Sequence, residues 1–154
     1  MRIDGRWLLC DDGFIRPVIR GEILTGDRSW VPAEFLVDTG ADCTVFSALI
    51  LEALRLPSRV GQSRLGGVGG IADSLIVETR IRFSRETGSQ VLFRGQYTAF
   101  SQVESLDMCV LGRDVTDLFA VIVDRPRDLV CLVGQRHRYT IEQDYPPRDP
   151  ILNP

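Results

Sequence analysis

Along most of this chain, apolar residues recur in the short runs and two-residue alternation of half-buried strands, broken by glycine and aspartate turns. Ile15, Val18, Ile19, Ile23 and Leu24 are the apolar members of a strand predicted over 14–24, and Thr25-Gly26-Asp27-Arg28 punctuates it. Val31 to Val37 reads as the returning strand, so the two form a predicted hairpin. The second strand runs through Phe35, Leu36 and Val37 straight into Asp38. Charged side chains are rarely buried without a partner. A carboxylate at the end of an apolar strand is therefore the first candidate for chemistry.

The remaining pattern is β with one clear helix. Residues 1–13 form a leader, in which Trp7 to Cys10 is a short candidate strand and Asp11-Asp12-Gly13 a turn. Leu49, Ile50, Ala53, Leu54 and Leu56 recur at helical spacing, which predicts a helix from Ser47 to Leu54 with Ser47 as N-cap and Pro57 as its stop. Gly66, Gly67, Gly69 and Gly70 crowd a stretch with apolar flanks, which reads as the tip of a flexible hairpin. Strands follow over 75–83 and 91–100 around a turn at Arg85 to Ser89. Met108 to Leu111 is a short apolar strand ended by Gly112-Arg113-Asp114, and Val115 to Phe119 is predicted as a helical turn. Val121 to Val123 and Leu129 to Val133 form a final hairpin. Beyond it, Arg138 to Ile141 is a possible strand, and the prolines from 146 onward suggest an extended end. The expected division is 1–13, a domain over 14–133, and a C-terminal strand with a Pro-rich tail over 134–154.

Composition narrows the function classes. A chain of 154 residues with 44% hydrophobic and 25% charged residues is one soluble-type domain with a core. Its net charge of -3 gives no electrostatic pull toward nucleic acid or an anionic membrane. All 18 basic residues are Arg, the cation suited to fixed, bidentate pairing with carboxylates. No apolar run is long enough for a membrane span, and the acidic, polar start does not read as a signal peptide. Cys10, Cys43, Cys109 and Cys131 form no Cys-x-x-Cys pair, and His137 sits between Arg136 and Arg138 as a solvated residue. No metal site and no cofactor are expected. Reduced thiols and a cytoplasmic location are the expectation.

Three motifs then fall in order. Phe35-Leu36-Val37-Asp38-Thr39-Gly40-Ala41-Asp42-Cys43-Thr44-Val45 resembles the catalytic loop of the retropepsin-like aspartic proteases, the single-domain relatives of pepsin. Leu65-Gly66-Gly67-Val68-Gly69-Gly70 resembles their flap, and Val110-Leu111-Gly112-Arg113-Asp114 their second motif, so the likeness spans roughly residues 15–133. The resemblance implies an all-β, acid-protease-like closed barrel with one or two short helices, working as a homodimer and cleaving protein or peptide substrates. It implies that Asp38, Thr39 and Gly40 are catalytic. Ala41, Asp42, Gly66, Gly67, Val68, Gly69 and Gly70 would bind an extended substrate. It pairs Arg113, beside Gly112, with Asp42 as a buried ion pair supporting the dimer.

Each motif has a physical reason. Hydrolysing a peptide bond without metal or covalent intermediate needs a base for water and an acid for the carbonyl. Two adjacent carboxylates sharing one proton supply both. Asp38-Thr39-Gly40 occurs once, because Glu86-Thr87-Gly88 follows Ser84 and Arg85 and carries the wrong acid. One chain thus supplies half a site, and a C2 dimer would bring two Asp38 together. Ala41 has no hydroxyl to donate to the carboxylate, which points to a pH optimum less acidic than that of pepsin, about pH 5–7.

Plainer readings fit less of the chain. As a turn or N-cap, Asp38 leaves the glycine hairpin and Gly112-Arg113-Asp114 unexplained. A Ca²⁺ or Mg²⁺ loop at Asp38 and Asp42 lacks further oxygen ligands at alternate positions. A phosphate loop at 66–70 lacks the Gly-Lys-Ser/Thr that would follow it. Cys43 reads as a small apolar filler. The alternative from another class is a dimerisation or peptide-binding module that keeps the fold without the activity.

Overall fold

The computed structural model describes residues 1–61, 65–67, 70–72, 74–101 and 107–134. The strands are β1 (Arg2–Asp4), β2 (Arg6–Leu9), β3 (Ile15–Leu24), β4 (Trp30–Val37), β5 (Val45–Phe46), β6 (Ser58–Val60), β7 (Leu65–Gly67), β8 (Gly70–Ala72), β9 (Ser74–Ser84), β10 (Gln90–Phe100), β11 (Cys109–Leu111), β12 (Phe119–Asp124) and β13 (Leu129–Gly134). Helices α1 (Ala48–Leu54) and α2 (Arg113–Thr116) complete the described elements.

Eight strands pair in the order β2-β3-β4-β11-β5-β10-β9-β6, and an added β3–β9 pairing closes them into a barrel. Closure follows from the sequence pattern. On β9, Val77, Ile81 and Phe83 alternate with outward Glu78, Arg80 and Arg82 and fill the interior, removing apolar surface from water. Phe46, Phe35, Phe83, Phe93 and Phe119 form a continuous run of edge-to-face rings, with centroids 5.5 to 6.4 Å apart. That run reaches from the barrel into a second, three-stranded sheet ordered β1-β13-β12. There the leading segment is tied down, with Arg2 opposite Val133 and Asp4 opposite Cys131.

The predicted hairpin is β3 against β4, with register from Val18–Leu36 to Leu24–Trp30. Its turn is held by Asp27, whose carboxylate accepts from the Thr25 hydroxyl and from the Ser29 hydroxyl and N–H. These bonds, the Thr25 hydroxyl first, hold the Asp27 carboxyl down at about 2. A depressed carboxyl contributes stability above its unfolded value, near 4, that is lost as pH falls toward about 2. Asp27→Asn should therefore flatten the fall of the melting temperature across that acid window, and an unchanged slope would refute the assignment.

Helix α1 starts where the spacing predicts, and the Ser47 side chain accepts from the Ile50 N–H at 3.5 Å. The helical turn expected over 115–119 is displaced. It begins at Arg113, because the Gly112 carbonyl accepts from the Val115 and Thr116 N–H groups at 3.1 and 2.9 Å. Phe119 already belongs to β12, opposite Gly134. Strands β5 and β6 were not expected: the first is two residues long and the second is exposed throughout. The strand expected over 138–141, His137 and the Pro-rich tail lie outside the described residues. No described helix is long and apolar enough to cross a membrane.

Candidate active site

Strand β4 delivers Asp38 to the end of the barrel, and the loop after it is shaped by β11. Strand β11 runs parallel to β4, with Cys109–Phe35, Val110–Leu36 and Leu111–Val37 in register. It also meets β5 antiparallel, at Val110–Val45. It thus lies between the strand entering the loop and the strand leaving it, and residues 38–44 wrap around its end. The Asp38 N–H donates to the Leu111 carbonyl at 3.2 Å, and the Arg113 N–H donates to the Ala41 carbonyl at 2.8 Å. At Gly112 the chains approach so closely that a Cβ would lie 2.3 Å from the carbonyl carbon and oxygen of Cys43.

Within the loop the half-buried Asp38 carboxylate is oriented locally. Its Oδ1 accepts the Gly40 N–H at 2.8 Å, while its backbone carbonyl accepts from Ala41 at 3.3 Å. Gly40 earns its place by proximity to the carboxylate: a Cβ there would sit 3.1 Å from the same Oδ1. Thr39 and Gly40 are exposed, and the Thr39 hydroxyl has no hydrogen-bond partner among the described residues. A lone carboxylate with one oxygen engaged can exchange a proton with water, but it cannot be acid and base in the same step.

Arg113 Nη2 donates to Asp42 Oδ1, so the two residues are brought together. The expected burial is absent in the single chain, where the side chains are 51% and 84% exposed because they sit on the open rim of the loop. An exposed pair of this kind contributes about 0–1 kcal/mol. The Cys43 thiol lies 3.8 Å from the Thr98 hydroxyl, and burial pushes its pKa up, which suits a filler more than a nucleophile. Gly66 and Gly67 face Ile71 and Gly70 across the β7–β8 hairpin, whereas Val68 and Gly69 lie outside the described residues. Among the described residues no three His, Cys, Asp or Glu side chains are grouped to hold a metal ion.

One residue escaped the sequence reading. Asp114 Oδ1 accepts both the N–H and the hydroxyl of the fully buried Thr44, at 2.8 and 2.7 Å. The same hydroxyl accepts the Gly112 N–H at 3.2 Å. Asp114 therefore pins the far end of the loop to α2, as a positioning residue. The Gly-Arg-Asp motif drew attention to this segment, but nothing in its spacing pointed to Thr44. Asp114→Ala leaves two buried donors without their acceptor and should cost about 1–3 kcal/mol in denaturant unfolding. Asp114→Asn retains an acceptor oxygen and should recover most of that loss, and an equal loss in both variants would refute the role.

No protein-family model matches the sequence, and no curated protein matches it. Solved structures do. The chain is similar to a retropepsin-like aspartic protease from Rickettsia conorii, at 15% identity over 86% of each chain and a TM-score of 0.50. It is also similar to the EIAV protease complexed with the inhibitor HBY-793, at 27% identity over 70% of this chain and 92% of that one, with a TM-score of 0.49. A third match is the retroviral protease-like domain of Ddi1 from Leishmania major, at 15% identity over 79% and 90% of the two chains and a TM-score of 0.45. With its closed barrel and the likeness to the Rickettsia conorii enzyme along most of both chains, the protein has the retropepsin-like fold.

Proposed function

We propose that the protein is an aspartic endopeptidase, active as a homodimer, in which water is activated between two Asp38 carboxylates. The observation that carries this reading is the Asp38 loop. An oriented, half-buried carboxylate stands at the end of a barrel strand, held in place by β11, Gly112 and Asp114. That scaffold fixes one carboxylate and leaves the reaction one short. A second copy related by a two-fold axis supplies the missing group, because two carboxylates that close share a single proton. One then deprotonates the water as the other protonates the carbonyl.

In this reading the protease domain is 14–133, and the Thr39 hydroxyls lock the two loops across the axis. Gly40, Ala41 and Asp42 offer backbone groups to an extended peptide from below, and the hairpin at 66–70 closes from above. Arg113 and Asp42 become buried when the protomers meet, so that removing either partner then leaves an unpaired buried charge and costs about 3–5 kcal/mol. A cytoplasmic setting belongs to the same proposal. The test is cleavage of a denatured protein by wild type and by Asp38→Asn, with sedimentation at the assay concentration. Cleavage by wild type alone, from a dimer, supports the reading. Equal activity in Asp38→Asn, or a strict monomer even with substrate bound, overturns it.

A further inference from the structure

Away from Asp38, the outer face of β9 and β10 carries an excess of positive charge in a groove. Arg80 lies directly opposite Arg94 across the two strands, and Glu78 lies opposite Gln96. Like charges facing each other across a ladder are unfavourable unless something compensates them. Arg94 donates to Glu78 at 3.1 Å, whereas Arg80 has no ion-pair or hydrogen-bond partner among the described residues. On the neighbouring β6, Arg59 stands opposite Ile76 and, among the described residues, donates only to the neutral Gln96 amide, at 2.7 Å. Arg28, from the β3–β4 turn, is likewise unpaired among the described residues.

Arg28, Arg80 and Arg94 rim an open hollow of about 880 Å³ whose floor is Leu24, Trp30, Leu56 and Pro57. A second hollow of about 320 Å³ shares Pro57 and Glu78 with it and continues over Arg59 and Ile76. Together they make one groove that, among the described residues, carries four guanidinium groups, Arg28, Arg59, Arg80 and Arg94, against the single carboxylate of Glu78. The chain as a whole is negative, at -3, so this local excess runs against the average. One end lies where β9 leaves the β7–β8 hairpin, and the other lies at the β3–β4 turn, the end of β4 remote from Asp38.

We propose that this groove binds an acidic, extended peptide segment, taken, on the proteolytic reading above, from the substrate beyond its scissile bond. Guanidinium forks pair with carboxylates through two parallel hydrogen bonds. An extended chain with acids at alternate positions presents carboxylates about 7 Å apart on one face, within reach of two such side chains. The apolar floor receives the aliphatic parts of the same segment. Single-stranded nucleic acid suits the groove less well. Among the described residues Trp30 is the one aromatic ring on its floor, and it is already covered by the Arg82 guanidinium at 4.1 Å, so they form no ladder of stacking rings there.

The experiment reads binding apart from cleavage. Asp38→Asn protein is titrated into a fluorescein-labelled peptide bearing alternate glutamates, and into the same peptide with glutamines, while anisotropy is followed. The acidic peptide should bind at least about tenfold more tightly and should weaken as salt rises. Arg80→Glu with Arg94→Glu should abolish the preference, whereas Arg127→Glu, outside the groove, should leave it intact. If circular dichroism shows the double reversal to be unfolded, Arg80→Gln with Arg94→Gln takes its place and should reduce the preference. Equal binding of the two peptides, binding indifferent to the groove variants, or tighter competing binding by oligothymidylate overturns the proposal. Absence of cleavage in wild type would instead remove the Asp38 reading and leave the groove standing.

Discussion

Asparagine at position 38 should lower kcat/KM for a peptide substrate by at least about 10³-fold, because one substitution removes both the acid and the base of the proposed symmetric pair. The fold should survive it. The Gly40 N–H that now donates to Asp38 Oδ1 at 2.8 Å can donate equally to an amide oxygen, so the melting temperature should stay close to that of wild type. A shared site adds a sharper expectation. A mixed dimer carries one carboxylate and one amide and cannot pass a proton between them. Excess variant protein should therefore suppress wild-type activity by drawing active protomers into mixed pairs. Wild-type turnover that is indifferent to added variant would show that each chain works alone.

Alanine at position 112 should be the most damaging of the conservative changes. The backbone there, with φ -88 and ψ -175, is one that alanine adopts freely, so no conformational penalty arises. The cost is contact: a methyl group would lie 2.3 Å from the Cys43 carbonyl, and backbone cannot rotate aside as a long side chain can. A loss of about 3 kcal/mol or more is expected, with a melting temperature lower by about 6–12 °C. Activity should fall with it, since β11 and the Asp38 loop must part to make room. Gly95→Ala is the natural control. Its added carbon would come no nearer than 3.5 Å to another atom, at Tyr97, and replacing glycine within a strand should be neutral or slightly stabilising. Equal damage from both would show that the close approach is not what position 112 demands.

The parts of this molecule visible in its sequence are those built by neighbours along the chain. The β3–β4 hairpin, the approach of Phe35 to Val37 into Asp38, the Ser47 cap and the glycine hairpin all rest on local periodicity or turn chemistry. What escaped depends on distant partners. Strand β5 is two residues long and exists because β10 and β11 flank it. Strand β6 has no buried side chain, so alternation has nothing to mark. Helix α2 starts early because the Gly112 carbonyl accepts from Val115 and Thr116 while Gly112 is pressed against Cys43, a constraint that no window around Val115 contains. The Arg113–Asp42 contact was legible from the motif, but its exposure was not, since burial belongs to the assembled surface and not to the residue types.

The insertion of β11 between β4 and β5 also sets a timetable. Thr44 and Asp114, whose bonds pin the Asp38 loop, are 70 residues apart, and the parallel β4–β11 ladder spans a similar stretch of chain. Contacts of such separation form late, after the entropy of closing a long loop has been overcome. A nascent chain carries the Asp38 carboxylate well before it carries the strand that shapes its loop. On the proteolytic reading, hydrolytic competence would come last in synthesis and folding, and a chain cut short before residue 109 would hold the hairpin and the carboxylate without the strand that shapes the loop.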